Sequence, residues 1–389
     1  MTATTAPRWD IFAKVVDNYG DAGVCWRLAR ELAAAHGFAV TLWLDDLAAL
    51  ARIAPGVDPR SGAQRVAGVA LRRWTDPLPA PVEIPDAVVE GFGCGLPDAY
   101  TAAMAQRAPP PDWFVLEYLS AEPWVDGAHG LASPHPRLAL PRRFWFPGFT
   151  AATGGLLRER GLFAARDAFR ADQAAVRALW SALGAPPPEA GPGVTVSLFC
   201  YPNPALPALL DAWADGDTPI TCLVPEGVAA GALDVWTHGA LPHPRGAPYA
   251  RGRLTLAAVP FVAQDTYDRL LWACDVNFVR GEDSFVRAQW AAQPFVWHIY
   301  PQAEGAHRAK LEAFLDRYVA GLDPTAAAAV RRFWRAWNGD DDAGPIAAAW
   351  LEFAAVRPQL GAHGAAWAGE LNGLPELADG LAEAARNRL

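Results

Sequence analysis

Residues 279–289 read Val-Arg-Gly-Glu-Asp-Ser-Phe-Val-Arg-Ala-Gln, and this segment gives the clearest indication of the architecture. It continues an apolar run, residues 275–279, that predicts a strand, and its later residues have the spacing of an amphipathic helix. A short polar turn between a strand and a helix leaves backbone N–H groups at the helix N-terminus, where an anion can bind. Open α/β sheets bind ligands at the carboxyl ends of their strands. The segment therefore predicts an α/β sheet with an anion site at this turn.

A second polar turn, Asp17-Asn18-Tyr19-Gly20-Asp21, follows another strand candidate near the N-terminus. Strand and helix candidates alternate on both sides of a Pro- and Gly-rich linker, residues 184–193. Strands that are separated by helices imply parallel sheets. We predict an α/β protein of two Rossmann-like lobes that face a central cleft. GT-B glycosyltransferases, periplasmic-type binding proteins and some epimerases share this organisation, and the pattern alone does not choose among them.

The predicted lobes are residues 1–184, joined by a C-terminal helix at 362–389, and residues 185–361. The strand predictions in the first half are residues 9–16, 38–44, 87–90 and 113–119. Those in the second half are residues 194–200, 219–224, 253–259, 275–279 and 295–299. Residues 23–35 have helical spacing, and the Ala-rich portion from about 325 onward predicts helices.

Composition excludes several classes of protein. The chain has 389 residues, 52% of them hydrophobic, so it can bury about two substantial cores. Its net charge of −9 argues against binding to nucleic acid or to an anionic membrane. The sequence contains neither an apolar run of about 18 residues nor a signal peptide. The five scattered cysteines indicate buried thiols in a reducing compartment, and we expect a cytoplasmic protein.

The N-terminal turn lacks the three glycines of a dinucleotide-binding fingerprint, and its two carboxylates would repel a pyrophosphate. A nicotinamide or flavin cofactor is therefore not expected. One interpretation is a loop in which Asp21 caps the following helix. The functional interpretation is that Asp17 and Asp21 bind a guanidinium, and that one of them accepts a proton as a bond forms at nitrogen.

The turn at 280–284 also has two interpretations. Ser284 could be a helix N-cap with acidic residues in the first turn, but this leaves Arg280 and Gly281 unexplained. A diphosphate on the helix N–H groups, partly neutralised by Arg280, would use them all and would leave Glu282 for a sugar hydroxyl or the reacting groups. Aromatic residues and a glutamine beyond predicted strand ends suit a planar base: Phe199, Tyr201, Phe261, Gln264 and Tyr300. The eight histidines lack metal-ligand spacing, so we expect no protein-held metal.

Taken together, these segments resemble the elongation factor P arginine rhamnosyltransferases, the EarP family. The matching blocks lie in order between about residues 9 and 310, and the Ala-rich tail after 320 adds none. Tyr19 stands where the family commonly has Phe, and Cys25 also varies. The blocks are residues 17–24 and 26–29, Glu117-Tyr118-Leu119-Ser120-Ala121-Glu122, Phe144-Trp145-Phe146-Pro147-Gly148-Phe149, residues 154–160, residues 280–289 and Trp297-His298-Ile299-Tyr300-Pro301-Gln302.

The resemblance implies a GT-B enzyme that transfers L-rhamnose from dTDP-β-L-rhamnose to an arginine of elongation factor P, with inversion and without a metal or other cofactor. It implies that Asp21 is the general base and that Asp17 and Glu282 are essential. The residues it places around the donor are Asn18, Tyr19, Gly20, Phe199, Tyr201, Phe261, Gln264, Arg280, Gly281, Asp283, Ser284 and Tyr300. Two rival hypotheses remain: a GT-B enzyme that acts on a small molecule or lipid, and a non-enzymatic protein that binds a nucleotide sugar or a partner.

Overall fold

The computed structural model describes residues 6–16, 19–79, 82–187, 191–240, 243–302 and 305–386. The chain divides into two compact units. The first unit contains Met1–Arg160 and Leu371–Leu389, and the second contains Gly161–Glu370. Each unit is built on one sheet of mainly parallel strands. This is the two-lobe α/β organisation that the sequence predicts.

The strands of the first unit are β1 (Arg8–Ala13), β2 (Ala39–Leu44), β3 (Ala63–Val66), β4 (Val69–Arg73), β5 (Ala87–Gly91), β6 (Asp112–Leu116), β7 (Ala132–Pro134) and β8 (Pro141–Trp145). Its helices are α1 (Gly20–His36), α2 (Leu47–Ile53), α3 (Asp98–Gln106), α4 (Trp124–Ala128) and, from the C-terminal segment, α15 (Leu377–Arg386).

The first sheet has the order β3-β4-β2-β1-β5-β6-β8-β7. Among the described residues, its six inner strands run parallel, and the edge strands β3 and β7 pair antiparallel with their neighbours. Numbered along the chain, the parallel strands follow the Rossmann order 3-2-1-4-5-6. Ligands bind such sheets where the winding reverses, which here lies between the carboxyl ends of β1 and β5.

The second unit begins with α5 (Leu162–Ala171) and α6 (Gln173–Leu183). Its sheet contains β9 (Val194–Leu198), β10 (Ile220–Pro225), β11 (Tyr249–Arg251), β12 (Leu254–Val259), β13 (Val276–Arg280) and β14 (Phe295–His298). The helices that follow these strands are α7 (Leu206–Asp215), α8 (Ala230–Trp236), α9 (Gln264–Ala273), α10 (Asp283–Ala291) and α11 (Ala306–Tyr318). The later helices are α12 (Pro324–Trp337), α13 (Ile346–Ala355) and α14 (Arg357–Asn372), whose last two residues belong to the first unit.

The second sheet has the order β11-β12-β10-β9-β13-β14. In the part of this unit that the structure describes, five strands run parallel in the Rossmann order 3-2-1-4-5, and β11 is an antiparallel edge. The reversal point therefore lies between the carboxyl ends of β9 and β13. The strand predicted at 275–279 is β13, so it and the polar turn after it lie at this reversal point, a position that the sequence alone did not give.

Every strand predicted from the sequence is present, although several ends differ. The run 113–119 is a strand only to Leu116, and its last bond to β8 is the one from the Glu117 N–H to the Trp145 carbonyl at 2.9 Å. The strands that sequence reasoning missed are β3, β4, β7, β8 and β11. Most of them are short or carry arginines, so they lack the apolar run on which the predictions rested.

The units divide at 160/161 and not at the predicted 184/185, because α5 belongs to the second unit. Arg166 Nη1 donates to the Trp290 carbonyl at 2.8 Å, and Arg170 Nε donates to the Trp272 carbonyl at 3.1 Å. The Pro- and Gly-rich segment from 184 thus connects α6 to β9 within one unit. The chain rejoins the first unit at Leu371, where Glu376 accepts the Arg158 N–H at 3.0 Å.

Candidate active site

Asp21 lies at the reversal point of the first sheet, in the first turn of α1. Its side chain is 2% exposed. One carboxylate oxygen accepts the Val16 N–H at 2.8 Å, and the other contacts the Tyr118 hydroxyl at 3.4 Å. Since the N-cap of α1 is Tyr19, the interpretation of Asp21 as a helix cap is wrong. The carboxylate instead bridges the segment after β1 and the loop after β6, which fix its position beside the carboxyl edge of the sheet.

Sequence reasoning assigned no role to an aromatic pair beside this carboxylate. Tyr118 is 39% exposed and stacks on Phe92 with ring centroids 4.6 Å apart. Phe92 has φ +55°, a left-handed conformation that is strained for a bulky residue and that is common at functional sites. In the sequence, Phe92 lies within a run of alternating glycines, Gly91-Phe92-Gly93-Cys94-Gly95, and this run was the available signal. The pair gives the surroundings of Asp21 an accessible aromatic face, which suits a planar cation.

Arg280 lies at the reversal point of the second sheet, at the end of β13. Its guanidinium carbon lies 4.4 Å from the ring centroid of Phe199 and 4.7 Å from that of Tyr201. Its Nη1 donates to the Cys200 carbonyl at 3.1 Å. Both aromatic residues follow β9, the neighbouring strand. These contacts fix the Arg280 guanidinium at the carboxyl edge of the sheet, beside the N-terminus of α10.

The turn between β13 and α10 is held by backbone and side-chain contacts. Gly281 has φ +63°, which favours glycine, and its carbonyl accepts Trp297 Nε1–H at 2.8 Å. The Ser284 hydroxyl accepts the Arg280 N–H at 3.1 Å and donates to the Arg280 carbonyl. The N-cap of α10 is Glu282, whose side chain makes no capping bond, so the N-cap interpretation of Ser284 is wrong. Ser284 instead closes the turn that presents the first N–H groups of α10.

The N-terminus of α9 meets that of α10 at the same edge. Gln264 Nε2 donates to Asp283 Oδ2 at 2.9 Å. Phe261 lies in the preceding loop after β12, and Tyr300, which is 48% exposed, follows β14. Tyr300 packs edge-on against Tyr201 with ring centroids 5.4 Å apart. The predicted donor residues of the second unit therefore follow the carboxyl ends of its parallel strands.

His298, which has no predicted role, is a buried neighbour of Tyr201. It packs edge-on against Tyr201 at 5.4 Å. Burial, together with the nearby charges of Arg280 and His307, lowers the pKa of His298 to about 4. The imidazole is therefore neutral at pH 7 and adds no positive charge beside Arg280.

The remaining predicted residues have these positions. Asp17 and Asn18 lie outside the described residues. Tyr19 and Gly20 are the N-cap and first residue of α1. Within the described ranges, no group of three or more His, Cys, Asp or Glu is arranged to hold a metal ion, and no helix combines the length and apolarity needed to cross a membrane.

Comparison with known proteins supplies the family. Residues 9–386 match the model of the elongation factor P (EF-P) rhamnosyltransferase EarP. The chain belongs to the EarP family. It is 50% identical over 385 residues to a protein-arginine rhamnosyltransferase of Pseudomonas putida, covering 98% of this chain and 99% of the relative. It is 47% identical over 375 residues to the one of Pseudomonas aeruginosa, covering 96% and 98%.

A solved structure shows a similar fold. That structure describes the structural basis for EarP-mediated arginine glycosylation of translation elongation factor EF-P. The two chains superpose with a TM-score of 0.69 at 37% identity, covering 98% of this chain and 100% of that one. The predicted resemblance to the EarP family and the predicted GT-B fold class are thus confirmed. The chain is a member of the protein-arginine rhamnosyltransferases, which are glycosyltransferases.

Proposed function

We propose that this protein transfers L-rhamnose from dTDP-β-L-rhamnose to one arginine of elongation factor P in the cytoplasm, with inversion and without a metal. The observation that carries the proposal is the position of Arg280 over Phe199 and Tyr201 at the reversal point of the second sheet. The acceptor protein is proposed because the relatives are protein-arginine rhamnosyltransferases and the family model is that of EF-P rhamnosyltransferases.

The second unit supplies the donor site in this proposal. The diphosphate accepts hydrogen bonds from the N–H groups at the start of α10, where the helix dipole favours an anion. Arg280 adds the neutralising charge that a metal supplies in other glycosyl transfers. The thymine ring lies among the aromatic residues of the strand ends and is recognised by the Gln264 amide. Glu282, at the N-cap of α10, binds sugar hydroxyls.

The first unit supplies the acceptor site. A guanidinium is protonated at neutral pH and is a poor nucleophile. An aspartate has a reference pKa of about 3.9, far too low to deprotonate it in advance. Asp21, assisted by Asp17, therefore orients the guanidinium and accepts its proton only as the C–N bond forms, when the nitrogen becomes acidic. The Tyr118–Phe92 pair contributes an aromatic face for the same cation.

The bond changes follow from these roles. A nitrogen lone pair of the arginine attacks the anomeric carbon, and the bond from that carbon to the diphosphate oxygen breaks. The electron pair leaves on thymidine diphosphate, and the nitrogen proton moves to Asp21. Because attack and departure occur on opposite faces of the sugar, a β-linked donor gives an α-linked product.

The alternative is a GT-B enzyme that acts on a small molecule or lipid. A coupled assay for nucleoside diphosphate release, which detects thymidine and uridine diphosphate alike, separates the two when elongation factor P, free arginine and buffer are compared as acceptors. We expect release only with dTDP-rhamnose and elongation factor P together. Equal release with free arginine would overturn the protein acceptor, and equal release with UDP-glucose would overturn the donor.

A further inference from the structure

Two successive side-chain contacts connect α9 and α10. The outer contact is the hydrogen bond from Gln264 to Asp283. One helical turn further along each helix, Arg287 Nε donates to Asp268 Oδ1 at 3.0 Å and its Nη2 donates to Oδ2 at 2.7 Å. Residues four apart share one face of a helix, so both contacts lie between the same two facing sides. The inner contact therefore lies directly behind the place where the helix N-termini meet.

The inner contact is a buried, bidentate ion pair. The side chains of Arg287 and Asp268 are 2% and 5% exposed. A bidentate pair fixes the angle between its partners as well as their distance. Apolar residues of similar volume often replace a buried ion pair with no loss of stability. Stability alone therefore gives little reason for this pair, whereas a requirement for a fixed helix register does.

The outer contact leaves one atom available for a ligand. Gln264 is 5% exposed, and its Nε2 is used by Asp283. Its Oε1 is buried and has no hydrogen-bond partner among the residues that the structure describes. A buried acceptor without a partner is costly unless a ligand supplies the donor. The imide N–H of thymine is such a donor, and cytosine has no hydrogen at that nitrogen.

We propose that Asp268 and Arg287 are a positioning pair for the donor site. They fix the register of α9 against α10, which directs the Gln264 amide towards the imide N–H of the base and keeps Asp283 at the start of α10. This inference rests on the proposed donor, and thymidine diphosphate is the probe that tests it.

The main test replaces the pair with apolar residues in the full chain, as Asp268→Leu/Arg287→Met. We expect the melting temperature to stay within a few degrees of the parent or to rise. By calorimetry, thymidine diphosphate should bind about ten-fold more weakly, and its preference over deoxycytidine diphosphate should shrink. The control is Glu312→Leu/Arg335→Met, which removes a more exposed bidentate pair, with contacts of 2.7 and 2.6 Å between α11 and α12. The control should bind as the parent does.

A second variant covers the case in which the apolar pair lowers the melting temperature. Arg287→Lys keeps the charge but loses the planar fork, so it should fold and still bind thymidine diphosphate more weakly. Unchanged affinity and base preference in both variants would overturn the inference. It would also be overturned if the apparent loss of affinity were fully explained by a smaller fraction of folded protein. Failure of the parent protein itself to bind thymidine diphosphate would instead overturn the proposed donor.

Discussion

At the scale of single residues, the two candidate sites contain side chains of opposite charge, a carboxylate in the first unit and a guanidinium in the second. Asp21 is a buried carboxylate fixed by the Val16 N–H and by Tyr118. Arg280 is a cation fixed by two rings and the Cys200 carbonyl. A carboxylate suits a guanidinium acceptor, and a guanidinium suits a diphosphate. Each residue should therefore affect one substrate and not the other.

Asp21→Asn should lower kcat by about 100-fold or more, because a general base commonly contributes 10²- to 10⁴-fold. Donor binding should be unchanged, since Asp21 contacts no donor group in the proposal. Turnover with elongation factor P and calorimetry with thymidine diphosphate check the two parts. Asp126→Asn, an exposed change in α4 of the same unit, is the control and should match the parent. Equal loss of donor affinity in Asp21→Asn would contradict the role of a base.

Arg280→Lys should have the reverse effect. Lysine keeps the charge but loses both the planar stacking on Phe199 and Tyr201 and the fork for phosphate oxygens. We expect the Kd for thymidine diphosphate to rise about ten-fold, which is about 1.4 kcal/mol. The KM for elongation factor P should stay near the parent value. Unchanged donor affinity would remove Arg280 from the donor site.

At the scale of secondary structure elements, the sequence predicts the strands that end at the site but not the details of the turns. The apolar runs of β1, β9, β13 and β14 are visible because parallel strands are buried on both faces. Helix ends are not visible in the same way. Asp21 and Ser284 have the residue types of N-caps, yet each is the second residue of its helix. The Asp21 side chain bonds the Val16 N–H, and that of Ser284 bonds the Arg280 N–H. Tertiary contacts decide such cases.

Other residues of the candidate site are far apart in the sequence, and only the fold brings them together. Phe92 and Tyr118 are far apart in sequence and meet because β5 and β6 are neighbours. Asp268 and Arg287 meet because α9 and α10 flank β13. Their spacing of four from Gln264 and Asp283 is visible in the sequence, but the pairing of the two helices is not. Asp17, which the sequence places in the site, stays a prediction because it lies outside the described residues.

His298 at the end of β14 should make the stability of the protein sensitive to acid. In the unfolded chain histidine has a pKa of about 6.5, whereas in the folded protein the pKa of His298 is about 4. As pH falls from 8 to 5, the unfolded state binds the proton first, so the free energy of unfolding should decrease by about 2 kcal/mol from this group. Denaturant titrations of the parent and of His298→Phe at both pH values measure the difference.

The comparison with His298→Phe isolates this group from others. Burial raises the pKa of Asp10 to about 6 and that of Glu376 to about 7, and these shifts make stability fall as pH rises. Both contributions occur in the parent and in the variant and therefore cancel. The variant should lose about 2 kcal/mol less than the parent on acidification. Parallel pH profiles would show that His298 titrates normally in the folded protein.

At the scale of the whole molecule, two Rossmann-like units carry different halves of one reaction in this proposal. Their strand orders are alike, and each places its candidate residues at the reversal point of its own sheet. The alternation of strands and helices in the sequence predicts the two α/β units but not the order of their strands, since β4 and β8 were missed. It is not sufficient to predict the unit boundary, which depends on the side chains of α5 and on the return of the chain at Leu371. Local patterns do not encode such long-range contacts.

The most direct test of the central claim is the intact mass of elongation factor P after incubation with this protein and dTDP-β-L-rhamnose, followed by peptide mapping and NMR of the linkage. We predict that the acceptor gains one deoxyhexose at a single arginine, in an α-linkage, with the parent protein and not with Asp21→Asn. An unmodified acceptor, a sugar on another type of residue, or a retained β-linkage would contradict the proposed function.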